Sequence, residues 1–495
     1  MGKSFADKLG SFAYFLITLF IIVLNIGKGF SSEGHSLYYV LPITAILLLV
    51  SYALRNRLCL PNSLDSDIYI IPVSLLLLAF QIYAVWNYYF FTGWDVYGIR
   101  MAVLARVAGE ELDSWYFSMY PNNILLVCIY AHVFKLASAL NLDLYTTLFS
   151  LPLLQCFLSW LAGLLLWQCG KDLGGRLCAW LSYLFFSAIV LFSPWISVPY
   201  SDGTALLFPV GIFWLYLRRP EKKALHAMRW VTLAAASYVA LQIKPQAFII
   251  FLAILLHEFV MALEKRENVK DLGKKLIFIV VGFALSAAFV QLLTGETRAQ
   301  FDEEGRFGPA HFLMMGLNDQ SSGGFETNAA RDAADLREAG SRLKTMGLQG
   351  LLDLWRRKTE RTFCDGTFGW GKSASFYMEF TPMRNNLLCG ILRNFYYYDG
   401  TYFSIFESIS QAVWLIVLVA SLLCVSVANQ NVRVIQICCI GVFFYNLLFE
   451  AGARYLLVNL TFYILLAGVG ISHAMEKRVE RGIFLNKANT SGGIS

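Results

Sequence analysis

Residues 68–90, IYIIPVSLLLLAFQIYAVWNYYF, carry no charged side chain. About 18 or more apolar residues suffice to cross a bilayer as a helix. Inside hydrocarbon the backbone must satisfy its own hydrogen bonds, which leaves a helix or a closed barrel. Barrel strands alternate apolar and polar residues, whereas this run is apolar throughout, so it predicts a helix. The same reading recurs at 11–29, 37–54, 147–168, 178–197, 203–217, 230–243, 247–263, 276–294, 409–427, 434–449 and 456–474. The chain is therefore read as an all-α polytopic membrane protein with about 12 spans. Its composition agrees: 57% of the 495 residues are hydrophobic and only 15% are charged.

The formal charge of +6 does not point to nucleic acid. The basic residues fall in short clusters between spans: Lys3/Lys8, Arg55/Arg57, Lys171/Arg176, Arg218 to Arg229, Lys265 to Lys275 and Lys477 to Arg481. Clusters of that kind mark the cytoplasmic side and place both termini inside. The first apolar run, Phe12 to Ile26, lacks a small-residue cleavage site and reads as a span. Residues 122–140 are apolar enough to insert, but a crossing there would send the basic clusters from Lys171 to Lys275 outside. They are expected to lie in, or dip into, the outer interface, with a tight pair of half-spans as the competing reading. The organisation is then a transmembrane module over 1–294 with an outer loop at 91–121, an extracytoplasmic segment over 295–407, closing spans over 408–476 and a cytoplasmic tail over 477–495. Within the outer segment, Asn328 to Arg361 has the pattern of an amphipathic helix, expected to cap the bundle. Cys364 and Cys389 fall in the same segment, where a disulfide is an option.

Gly93-Trp94-Asp95-Val96 follows the opening run directly. A carboxylate at the membrane boundary can take a proton from a hydroxyl within hydrogen-bond reach. Asp95 is the leading catalytic candidate, with Glu110 and Glu111 as candidates for a second acid. Tyr120-Pro121-Asn122-Asn123 precedes an apolar helix. Its amides either cap that helix or hydrogen-bond a sugar. Asp202 opens a span from the outer side, as a helix-end acid or a site residue. Lys244, in IKPQ, is a cation on the side where the topology rule disfavours one; it either snorkels to lipid headgroups or meets a phosphate. Arg454, in EAGARY, repeats that pattern, although Glu450 and Arg454 also have i,i+4 spacing for a helix-end salt bridge. Gln246 and Tyr455 flank the two cations. An outer acid with two outer cations forms a consistent set: a base on one side and an anion site on the other.

The order of these pieces resembles the GT-C glycosyltransferases, the group that includes protein O-mannosyltransferases and the lipid A aminoarabinose transferase. The series runs TGWD (92–95), YPNN (120–123), Leu173-Gly174, Ser193-Pro194, Ser201-Asp202, KPQ (244–246), a long outer segment and ExxxRY (450–455), over residues 68–475. The resemblance implies a GT-C bundle in a bacterial cytoplasmic membrane. It implies a polyprenyl-phosphate-linked sugar as donor and a glycan, lipid or protein as acceptor, with membrane lipids around the enzyme. Asp95 would be the base. Lys244 and Arg454 would hold the lipid phosphate, while Tyr120, Asn122, Asn123, Asp202, Gln246 and Tyr455 would contact substrate. A single inverting displacement would follow. A divalent cation, Mg or Mn, stays open as cofactor, since no Asp-Glu pair like that of the O-mannosyltransferases is present. Two other classes fit a many-span chain. A transporter or flippase of lipid-linked saccharides would place its charges near the midplane and show repeats. An O-antigen ligase or polymerase would rely on His311 and on Arg356, Arg357 and Arg361.

Overall fold

The computed structural model describes residues 5–29, 42, 45, 66–264, 269–301, 306–326, 332–372 and 376–491. Eight helical stretches among them are long and apolar enough to cross a membrane, from Asp7–Lys28 to Ala453–Lys477. The helices are α1 (Phe5–Gly29), α2 (Ile70–Tyr88), α3 (Trp94–Ala108), α4 (Ser114–Met119), α5 (Asn123–Ser138), α6 (Leu144–Leu148), α7 (Ser150–Phe186), α8 (Ser201–Ala205), α9 (Leu207–Leu217), α10 (Lys223–Ile243), α11 (Ile249–Leu263) and α12 (Val269–Arg298). The outer segment and closing spans add α13 (Pro309–Gly316), α14 (Asp332–Phe363), α15 (Leu387–Tyr396), α16 (Phe403–Leu422), α17 (Gln430–Leu448) and α18 (Leu460–Ser491). Apart from residues 42 and 45, the expected span at 37–54 lies outside the described residues.

The 37-residue α7 is two spans. Its helical geometry breaks at Gly174 and at Gly175, whose φ of +74° is a left-handed value that glycine adopts without penalty. The halves fold back on each other: a Cβ on Gly170 would stand 2.9 Å from the Ala179 backbone. One hairpin thus supplies both expected spans, with Lys171 and Arg176 at its turn, each paired with Asp67. From there the chain alternates. The basic residues around Arg218, Lys223 and Lys275 gather at the end of the bundle that holds the turn. Asp95, Tyr200, Asp202, Lys244, Glu450 and Arg454 stand at helix ends of the opposite side.

The helix α5 is 16 residues long, about 24 Å, short of the roughly 30 Å of a bilayer core. It packs against α3, α7, α10 and α12, so much of it faces protein. A detail absent from the sequence reading is a two-stranded antiparallel ladder. β1 (Phe90–Thr92) pairs with β2 (Tyr377–Phe380), with Phe90 opposite Phe380 and Phe91 opposite Glu379. It ties the outer segment to the chain just before Asp95, and the Gly93 amide continues the tie by donating to the Phe376 carbonyl at 3.1 Å.

The amphipathic helix expected over 328–361 is α14, whose end is bolted to the bundle. Asn25 and Trp414 both donate to the Phe363 carbonyl, at 3.2 and 2.8 Å. Cys364 and Cys389 are both free thiols, so the disulfide option is not realised. The Cys389 thiol bonds instead to the Asn87 carbonyl at 3.1 Å, while Cys364 sits at the end of α14 beside α1, its carbonyl accepting from Lys28.

Gly170→Val forces two backbones apart and should destabilise the purified protein by about 1–3 kcal/mol. Gly10→Ala, at an open position, should not. Thermal unfolding in detergent checks both.

Candidate active site

Trp94 begins α3 with φ of +51°, a left-handed value that costs about 1–3 kcal/mol outside glycine. That turn sets Trp94 against Trp195, with ring centroids 6.2 Å apart, and leaves Asp95 in the first turn of the helix. The Tyr200 hydroxyl donates to Asp95 Oδ2 at 2.7 Å. Burial first, and then Asp95, hold that phenol well above its ordinary pKa, so it remains a donor. Tyr116 is a second phenol beside Asp95, raised by the same two causes. Asn123 Nδ2 donates to the Tyr116 hydroxyl at 2.7 Å. Tyr120 packs on Tyr116 at 5.2 Å and senses both Asp95 and Glu450.

Across Tyr200 lies an ionic cluster. Lys244 pairs with Asp202 Oδ1, and Arg454 Nε stands 3.4 Å from Oδ2 of the same carboxylate. Their positions differ: Lys244 is 6% exposed, Arg454 20%. The guanidinium of Arg454 is held among aromatic rings, 4.9 Å from the Trp94 centroid, 5.0 Å from Tyr200 and 5.7 Å from Tyr455. Lys244 lies over Tyr200 and Tyr455 at 5.8 and 5.2 Å. Burial lowers the Lys244 pKa, opposed chiefly by Asp202. Among the described residues, the terminal nitrogens of Arg454 make no hydrogen bond. Tyr200 therefore serves both halves: its hydroxyl holds Asp95, and its ring supports the cations.

The expected residues divide accordingly. Asp95, Tyr120, Asn123, Asp202, Lys244, Arg454 and Tyr455 come together. Asn122 borders the group but makes no cap, its amide facing Asn123 at 3.5 Å. Gln246 is buried, and its backbone carbonyl accepts from Asn459 at 3.0 Å. Glu110 and Glu111 are exposed beyond the far end of α3, about four turns' worth of chain from Asp95. The side chain of Asp202 caps no helix, being committed to the two cations. Nor do Glu450 and Arg454 form the i,i+4 bridge, because the helix ends at Leu448 and Gly452 is extended. Glu450 meets Tyr455 instead, and burial raises its pKa. It is the acid that the sequence reading undervalued.

The outer segment fixes Glu450. Lys358 on α14 is buried and donates to three carbonyls, those of Gly316, Leu447 and Phe449, each at 2.7 Å. Burial pushes its ammonium down to about 7. One residue beyond Glu450, the Ala451 amide donates to the Gly323 carbonyl at 2.8 Å. The backbone on both sides of Glu450 is thereby anchored to the outer segment.

His311 and the three outer arginines have local duties. His311 stacks on Phe307 at 3.8 Å and faces Asp335 at 3.4 Å, fully buried. Arg356 and Arg357 pair with Asp353, and Arg361 bonds to the Ser321 carbonyl. Among the described residues no group of three or more His, Cys, Asp or Glu is gathered to hold a metal ion.

A family model described as conserved hypothetical integral membrane protein matches residues 12–475, and the chain belongs to that family. It is a multi-pass integral membrane protein. No curated protein matches it. Among solved structures, the crystal structure of ArnT from Cupriavidus metallidurans bound to undecaprenyl phosphate is similar at 11% identity, over 84% of this chain and 79% of that one, with a TM-score of 0.34. A superposition that loose carries no argument about function.

Asp202→Asn leaves two cations without their carboxylate and should cost about 3–5 kcal/mol. Adding Lys244→Met should recover part of that loss, a coupling of about 1–3 kcal/mol. A thermal-unfolding cycle in detergent measures it. Lys358→Met strands three carbonyls and should cost more than about 2 kcal/mol in the same assay.

Proposed function

We propose that this member of the integral membrane family is a GT-C type glycosyltransferase of the bacterial cytoplasmic membrane. It moves a sugar from a polyprenyl-phosphate donor to an acceptor hydroxyl on the outer face. The observation that carries the reading is the Tyr200 bridge: a boundary carboxylate and a partly open guanidinium share one side chain.

The donor phosphate sits against the terminal nitrogens of Arg454. Arginine suits this role because its fork can grip two phosphate oxygens at once. Lys244 lies deeper and steadies Asp202, which in turn aims Arg454. Asp95 accepts the proton of the acceptor hydroxyl as its oxygen attacks the anomeric carbon. The bond from that carbon to the phosphate oxygen breaks, and the lipid phosphate leaves with the electron pair. Charge grows on the phosphate as the bond lengthens, and a fixed cation in a partly dry site stabilises that charge far better than water does. Tyr200 and Tyr116 orient the Asp95 carboxylate. If a divalent cation takes part, it would add positive charge at the departing phosphate, with Asp95 and Glu450 as the carboxylates that would offer it oxygen ligands.

A strain lacking the gene should show a surface glycan or glycolipid short of one sugar by mass spectrometry. The wild-type gene should restore it. Asp95→Asn, expressed and folded to the same level, should lower transfer by about 10²–10⁴-fold, the usual worth of a positioned base. Full restoration by Asp95→Asn would overturn the assignment.

A further inference from the structure

We infer a second anion site on the same helix as Asp95, separate from Arg454, which receives the net-negative phosphate head group of an anionic lipid. The inference rests on the glycosyltransferase reading for one point only: that this lipid is the acceptor.

A narrow cleft opens between α3, β1 and α7, lined by Tyr89, Phe91, Ile99, Leu148 and Pro199, with Arg100 as its charged member. The Arg100 guanidinium lies 4.1 Å over the Phe91 ring and 5.4 Å over Tyr97. Its Nη1 is buried without an acceptor among the described residues. Glu379, paired with Phe91 in the ladder, makes no ion pair among the described residues. Arg384 repeats the situation next to the cleft. Its guanidinium is 3.8 Å over Trp86 and 5.2 Å over Tyr145, and its Nε and Nη2 are buried without acceptors. Tyr145 packs on both Tyr89 and Phe91, at 5.7 Å each, so the two arginines stand on one continuous aromatic bed.

Ring faces return about 0.5–2 kcal/mol to a cation. A partly buried charge with unbonded N–H groups costs more than that, so the pair is complementary to an anion. The lining is apolar, and the cleft lies at the ends of two membrane spans, which selects a lipid over a free sugar phosphate. The cleft itself has room for little more than a water, so the head group meets the arginines at its mouth, with the chain left in the bilayer. An exposed stripe on α2 (Leu76, Phe80, Tyr83) ends within two turns of Tyr89 and gives that chain a surface.

The location makes the lipid an acceptor. Arg100 is five residues beyond Asp95 on α3, about 7.5 Å along the axis. Pro199, on the opposite wall, precedes the Tyr200 that holds Asp95. Arg100 is also about 140° round the helix from Asp95, so a head group anchored there brings its hydroxyl to the base past Pro199 and Tyr200. Donor and acceptor phosphates are thereby kept on separate cations.

The test uses the whole protein in phosphatidylcholine nanodiscs. One sample carries a photoreactive phosphatidic acid, the other a photoreactive phosphatidylcholine with the same chains. The phosphatidic acid should label peptides spanning 89–100 or 148–151 about tenfold more, the worth of one charge-assisted contact. Arg100→Gln should remove that excess, Arg384→Gln should reduce it, and Arg100→Lys should keep most of it. Millimolar inorganic phosphate should not compete, since it lacks a chain. Equal labelling by both lipids, indifference to Arg100→Gln, or full competition by inorganic phosphate would each overturn the lipid anion site. Arg454→Gln separates the two readings: it should abolish sugar transfer while the labelling persists. Labelling that survives in a protein without transferase activity would leave the anion site standing and remove only its role as acceptor site.

Discussion

The site depends on one buried carboxylate placed between two cations. Asp202 enters at the start of α8, Lys244 closes α10, and Arg454 opens the last span, so a single acid joins three separate segments of the bundle. Buried charges are costly unless each finds its partner, and here the cost is offset by pairing two of one sign with one of the other. Within this triad alone the arithmetic leaves one positive charge in excess, which Asp95 and Glu450 sense from across the site. That excess lies on Arg454, the member with more exposure and with terminal nitrogens free of bonds among the described residues. The ion cluster that secures the fold at this end therefore also leaves a guanidinium with unbonded terminal nitrogens, among the described residues, against the Tyr200 that holds Asp95.

Rigidity comes from the outer segment. Lys358 commits its ammonium to three main-chain carbonyls, two of which lie just before Glu450 in the chain. The β1–β2 ladder does the equivalent for the chain leading into Asp95. Both halves of the site are thus tied to the outer segment, although the spans alone would bring the helices together. The outer segment serves the chemistry as scaffolding, and its arginines are occupied in holding it in shape.

Apolar length made the spans legible in the sequence. The runs at 68–90, 247–263 and 434–449 reappear as helices within a few residues, and the Gly174 turn fell where two runs met. The cationic pair was legible because charge at the outer ends of spans is anomalous. Tyr200 was not, since a tyrosine near an interface is the ordinary case and nothing in its spacing announces a bond to Asp95. Glu450 was misjudged for a similar reason. Spacing of i,i+4 suggests a helix pair, but the Ala451-Gly452 break takes the helix away, and Arg454 turns to Asp202. Arg100 and Arg384 escaped notice because their lack of acid partners is a property of three dimensions only. The ladder was hidden by its brevity: three residues of Phe-Phe-Thr beside an apolar span read as part of that span.

The arrangement also explains why aromatic residues crowd this end of the molecule. Trp94, Trp195, Tyr200 and Tyr455 surround Arg454, while Phe91, Tyr97, Trp86 and Tyr145 surround the two unpaired arginines. A carboxylate beside each of these cations would hold it more strongly, but would also cancel its charge. Ring faces support a guanidinium without neutralising it and limit the water around it. A protein that must meet anionic groups at a membrane surface gains from that compromise. It keeps its positive charges fixed, partly dry and still available. Asp202 is the exception that proves informative, because it neutralises only one cation of its pair and leaves the other to the substrate.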